Sequence, residues 1–151
     1  MKARVRVGVL IVKKNKLLLI RHVNPSTGQE FWVTPGGGMK SVDDSIFHCA
    51  KRETFEECGL KIKLSEKIKF IRQWYDKENN RLQLEIFLFA KSFKGKLTMD
   101  NLLGQGADEE WIKELKFLSK EDMEELSIFP ESLKKYEKLL KKCKNGAIYI
   151  E

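Results

Sequence analysis

The chain contains no long apolar run. None of its segments approaches the roughly 18 to 20 apolar residues that a helical membrane span requires. The basic stretch at residues 1–16 has no small-residue cleavage site after its short apolar segment, so a cytoplasmic protein is expected. Cysteine is also sparse: Cys49, Cys58 and Cys143 are odd in number and lack CxxC spacing, which argues against a disulfide framework and against a structural zinc site. Histidine occurs only as His22 and His48, without ligand-like spacing, and both are read as surface or packing residues. No repeat, low-complexity tract or Pro/Gly/Ser-rich linker interrupts the 151 residues, and a single domain spanning 1–151 is expected.

What the chain has in abundance is charge. Charged residues make up 34% of it against 42% hydrophobic, and the net charge of +7 implies an anionic partner: nucleic acid, a nucleotide or a diphosphate metabolite. β-branched segments come first. Residues 3–12 and 17–21 flank a polar KKNK turn and predict a hairpin, and residues 31–33 predict a short strand ending at Pro35. A helix is expected over about 43–58, with Ser41, Asp43 and Asp44 serving its N-terminus and Gly59 its C-terminal cap. The turn DKENN predicts a second hairpin, in which Leu82, Leu84, Ile86 and Leu88 share one face and Gln83, Glu85, Phe87 and Phe89 the other. GQGADEE reads as a loop, ELKFLS as a strand, KEDMEEL as the start of a helix, and residues 131–143 as an amphipathic helix burying Leu133, Tyr136, Leu140 and Cys143. Strands outnumber helices, so the expected class is α+β, a mixed β-sheet covered by helices on both faces.

The stretch GGGMKSVDDSIFHCAKRETFEECGL, residues 36–60, concentrates negative charge in a basic chain. At about 100° per residue, Glu53, Glu56 and Glu57 fall on one face of the helix, where like charges repel by roughly 0.2 to 0.5 kcal/mol per pair. A hard divalent cation offsets that repulsion, since Mg²⁺ prefers carboxylate oxygens and completes its shell with water and phosphate. The glycines ahead of the helix permit a tight turn and close approach of backbone to a ligand. Gly38, five residues, Asp44, seven residues, then Arg52, Glu53, Thr54, Phe55, Glu56, Glu57, Cys58, Gly59 and Leu60 resemble the signature of the MutT-like Nudix hydrolases, GX5EX7REUXEEXGU. Two positions depart from it. Asp44 stands for glutamate and lies nearly opposite the Glu53 face, which implies a supporting role, and Thr54 stands for a bulkier aliphatic residue.

The resemblance implies an α/β/α sandwich in which Glu53, Glu56, Glu57 and the Gly37 carbonyl bind Mg²⁺ or Mn²⁺ and Arg52 orients Glu53. It implies hydrolysis of a nucleoside diphosphate linked to another moiety, by water attack at phosphorus. A nucleotide-sensing module without catalysis and an RNA 5′-end pyrophosphohydrolase are the alternatives; intact carboxylates disfavour the first, and RNA is not the favoured partner. For the general base the candidates are Glu53 on the motif helix, Asp108, Glu109 and Glu110 in the GQGADEE loop and, more distantly, Glu85; Glu53 is favoured as base and Glu110 as an added metal or water ligand. Arg21, Trp32, Gly38 and Trp74 are the expected substrate contacts for a small-molecule nucleotide or nucleotide derivative. No membrane partner is expected, and the oligomeric state stays open, a homodimer included.

Overall fold

The computed structural model describes residues 1–151. In chain order the strands are β1 (Lys2–Leu10), β2 (Val12–Lys13), β3 (Lys16–Val23), β4 (Glu30–Val33), β5 (Gly36–Gly38), β6 (Lys61–Leu64), β7 (Phe70–Asp76), β8 (Arg81–Lys94), β9 (Ile112–Leu118) and β10 (Ile148–Tyr149). The helices are α1 (Ile46–Cys58), α2 (Ala107–Trp111), α3 (Lys120–Met123) and α4 (Tyr136–Lys142). The class is α+β, as expected, but the strands form two sheets. A six-stranded mixed sheet runs β10-β7-β8-β1-β5 with β6 on β8, and a four-stranded antiparallel sheet centres on β3, between β4 and β9 with β2 beside it.

The predicted first hairpin survives only at its tip. Lys14 and Asn15, at φ 50° and 60°, make the turn, and β2 pairs with the start of β3. The longer strand ahead of it leaves for the other sheet, where nine residues of β1 lie parallel to β8. Those backbone hydrogen bonds, together with burial of Val7, Val9 and Leu10, outweigh what the local hairpin offers. The second hairpin forms as expected at residues 77–80, although its first arm breaks at residues 65–69 into β6 and β7, both paired to the long β8. The glycines 36–38 are a strand, antiparallel to β1 with Arg6 opposite Gly38 and Gly8 opposite Gly36.

Two apolar clusters lie on opposite sides of this frame. Alternation along β3 sends Leu18 and Ile20 to one and Leu17 and Leu19 to the other. Helix α1 covers the first with Cys49, Ala50 and Cys58; Met123, Leu133, Tyr136 and Cys143 cover the second, which yields the layered sandwich. Helix α1 starts later than the sequence suggests. Ser45 is its N-cap, accepting from the His48 amide, and the carboxylates of Asp43 and Asp44 do not serve its first turn. Gly59 closes it at φ 73°, in the left-handed conformation that a C-cap glycine adopts most easily. The expected helix at 131–143 is a 3-10 turn, Glu131–Lys135, followed by α4, with Leu133, Tyr136 and Cys143 buried and Leu140 half-buried. GQGADEE is only partly loop, because its last residues wind into α2.

Candidate active site

Helix α1 packs on β5, and this brings the glutamates to the glycine strand. Glu57 is buried, and one carboxylate oxygen accepts from the Gly36 amide at 2.8 Å. Glu53 is also buried and packs on Gly37 so tightly that a Cβ there would lie 2.6 Å from its carboxyl carbon, which explains the glycine. Burial raises the proton affinity of both carboxylates, Glu57 strongly; the hydrogen bond from Gly36 opposes this for Glu57, and Arg52 opposes it for Glu53. Glu56 is half-exposed on the same face.

Arg52 is the hub of the cluster. It donates to Glu53 at 2.7 Å, to Glu56 at 3.2 Å and to the Gly38 carbonyl at 3.4 Å. Its other partner is a correction to the motif reading. Asp43, one residue before the motif position, takes Arg52 with both oxygens, at 2.8 and 2.6 Å, and also accepts from the Lys40 amide at 2.8 Å. The Asp43 side chain is 0% exposed, and its hydrogen bonds from Arg52 hold it well below the usual carboxylate range. Asp44 is 86% exposed and meets only Ser45 and His48, both close in sequence. The loop of residues 39–45 carries Asp43, not Asp44, inward beneath the helix. Cys49 lies in the same cluster, 3.8 Å from the Gly37 carbonyl, and burial and Asp43 push its thiol up to about 12.

The expected substrate contacts are not gathered in one place. Arg21 is held between Glu30 and Glu114, each at 3.1 Å, across the four-stranded sheet. Trp32 is buried in the second apolar cluster. Gly38 lies under the Arg4 guanidinium. Trp74 is partly exposed, with Arg72 stacked 4.3 Å from its ring centre, and with Phe31 and Phe129 these residues line an open cleft of about 390 Å³. Of the three acids near GQGADEE, Glu110 is exposed and Glu109 accepts from the Gly104 amide, whereas Asp108 comes close to Glu57 and His22.

Several residues that the motif does not mark complete the setting. Arg4 and Arg6 alternate with valines on β1 and so share the sheet face that carries Gln83, Glu85, Arg72 and Trp74. Glu85 is buried between Arg72, at 2.7 Å, and Arg6, at 3.9 Å. The alternation in ARVRV was the available signal for this face. Asp108 was one of three loop acids read as candidates, but nothing local singled it out or paired it with His22; the two meet only because both sheets contribute to the site. As a donor set, Glu53, Glu56, Glu57 and the Gly37 carbonyl offer only oxygen, and two of the carboxylates are buried side by side, which fits a hard divalent cation.

Comparison with known proteins points to one family and one fold. An 8-oxo-dGTP diphosphatase of Buchnera aphidicola is 31% identical over 88 residues, covering 58% of this chain and 63% of that relative's length. The chain superimposes on the solution structure of the Escherichia coli ORF135 protein with a TM-score of 0.73 at 20% identity, covering 96% of this chain and 95% of that one. A MutT NUDIX hydrolase from Burkholderia pseudomallei gives 0.69 at 19% identity, covering 89% and 96%. The family model described as the NUDIX domain matches residues 2–139, and with the folded motif helix and its glycine strand this establishes that the chain belongs to the NUDIX family.

Proposed function

We propose that the chain is a single-domain, divalent-cation-dependent pyrophosphohydrolase that cleaves the diphosphate linkage of a nucleotide or nucleotide derivative by attack of water at phosphorus. One observation carries this reading: the buried Glu53 and Glu57, with their Arg52 clamp, converge on the Gly36–Gly38 strand at the edge of a sheet face bearing Arg4, Arg6 and Arg72. Glu53, Glu56, Glu57 and the Gly37 carbonyl would hold the ion, Mg²⁺ or Mn²⁺. When bound, it supplies Lewis acidity toward phosphoryl oxygen and water.

The chain's own residues divide the remaining work. Asp43 fixes Arg52, and Arg52 fixes one oxygen of Glu53, so the other is aimed by construction. Glu53 is the proposed proton acceptor, because Arg52 occupies one of its oxygens and leaves the other available beside the ion site. Asp108 takes the supporting role that the sequence reading gave to Glu110, since it is the acid brought toward Glu57. Arg4 and Arg6 face the phosphate chain and offset its charge. The cleft of Phe31, Trp74 and Phe129 is open enough for a base to stack against its aromatic walls.

The name of the Buchnera relative puts purine nucleoside triphosphates, oxidised ones included, first among substrates to test. The experiment is a nucleotide panel assayed with Mg²⁺ and with Mn²⁺, with products identified by ³¹P NMR in ¹⁸O-labelled water. Two phosphorylated products, or a nucleotide and pyrophosphate, with the label on phosphate, support the reading. No turnover with either ion, or label only on a carbon-bound hydroxyl, refutes it.

A further inference from the structure

One side chain near the glutamates, His22, has no part in that scheme, yet it stands beside two carboxylates that do. His22 at the end of β3, Glu57 on α1 and Asp108 at the start of α2 place one potential ligand atom each within 4.8 Å of one another. They come from three separate elements: the motif helix, the central strand of the four-stranded sheet and the short helix that leads into β9. Each is held in a form suited to binding. Glu57 is 2% exposed, and its hydrogen bond from Gly36 engages one oxygen, leaving the other without a donor. His22 Nδ1 lies 3.4 Å from the Ile20 carbonyl, and the ring stacks on Phe31 at 5.1 Å between centres and 13° between planes. With Nδ1–H directed to that carbonyl, Nε2 keeps its lone pair, the arrangement in which metal-binding histidines are commonly found. Asp108 follows Gly104 and Gly106, both at positive φ, so its segment can adjust.

We infer that His22, Glu57 and Asp108 form a second divalent-cation site, one with a nitrogen donor, which selects a first-row transition ion over Mg²⁺. It shares Glu57 with the oxygen-only site proposed above, and it rests on that reading through Glu57 and through Asp108, the supporting acid there. Imidazole suits Zn²⁺, Cu²⁺, Fe²⁺ and Ni²⁺, whereas Mg²⁺ takes oxygen and gives up its water reluctantly. Donors about 2.0 to 2.2 Å from an ion stand about 3 to 4 Å apart, so closure needs a contraction of roughly an ångström, which the short α2 and its glycine-containing approach allow.

The chain's two histidines make the test direct, because the imidazole ¹⁵N spectrum then contains two rings, assigned through His48→Asn. Zn²⁺ added to the chelator-treated protein should move the ring nitrogens of His22 and leave those of His48 in place, and a hundredfold excess of Mg²⁺ should not reverse the shift. Visible absorption of bound Co²⁺ should show that His22→Asn and Asp108→Asn each lose one equivalent or weaken binding at least ~10-fold. Unmoved His22 nitrogens in the unsubstituted protein, displacement by Mg²⁺, or equal Co²⁺ binding in both variants would overturn the inference. Because these readouts need no turnover, a protein that binds Zn²⁺ through His22 but hydrolyses no nucleotide would sink the proposed activity and leave this site standing; turnover without His22 ligation would do the reverse.

Discussion

Replacing Asp43 with asparagine tests whether the motif's supporting carboxylate has moved by one position. Asp43 accepts two hydrogen bonds from Arg52 and one from Lys40, and its side chain is fully buried beside an Arg52 that is 14% exposed. Breaking a buried ion pair by removing one partner costs about 3 to 5 kcal/mol. Here Arg52 keeps Glu53, Glu56 and the Gly38 carbonyl, and the amide can still accept one hydrogen bond, so about 2 to 3 kcal/mol is expected. For a chain of this size that lowers Tm by about 4 to 12 °C, whereas Asp44→Asn, at an exposed position, should stay within about 0.5 kcal/mol. The pH dependence has a definite sign. Asp43 ionises well below the usual range because of Arg52 first and the Lys40 amide next, so its contribution is complete above the unfolded value near ~3.9 and is lost as pH falls toward the folded value. The Tm gap between the parent and Asp43→Asn should therefore be constant from about pH 5 to 8 and narrow below about pH 4. Calorimetry across that range is the assay. A larger loss in Asp44→Asn, or a gap that does not narrow in acid, would refute the assignment.

Glu57→Gln should lower kcat by on the order of 10³ with circular dichroism unchanged, and excess EDTA should abolish turnover of the parent protein; full activity in EDTA would contradict the ion requirement. Trp74→Ala should raise KM about 5- to 100-fold while Trp74→Phe stays close to the parent, as loss of a stacking surface demands, so equal effects would remove Trp74 from substrate binding. Asp108→Asn should slow turnover more than Glu110→Gln, measured at saturating Mg²⁺; the opposite order would restore Glu110 to the role first read for it. Glu53→Gln should remove the acidic limb of the kcat–pH profile, and its persistence in that variant would move the base elsewhere. Gly37→Ala should displace Glu53 and weaken Mn²⁺ binding seen by EPR, since the added carbon meets the carboxyl group at 2.6 Å.

The sequence by itself determined the features that depend on neighbours a few residues apart. The three glutamates on one helix face, the Gly59 cap, the DKENN turn and the two-faced alternation of β8 all follow from helical and strand periodicity, and each stands in the structure as read. Tertiary structure decided which side chains from distant segments meet. Asp43 rather than Asp44 reaches Arg52 because the path of a non-repetitive loop, not a period, sets which carboxylate turns inward. His22 and Asp108 reach Glu57 because β3 and β9 pair in one sheet while α1 packs on the other, a juxtaposition spanning tens of residues that leaves no local trace. In the same way β1 left its expected hairpin for β8, since a nine-residue parallel pairing buried on one face by α1 is worth more than a turn that residues 14 and 15 could close alone.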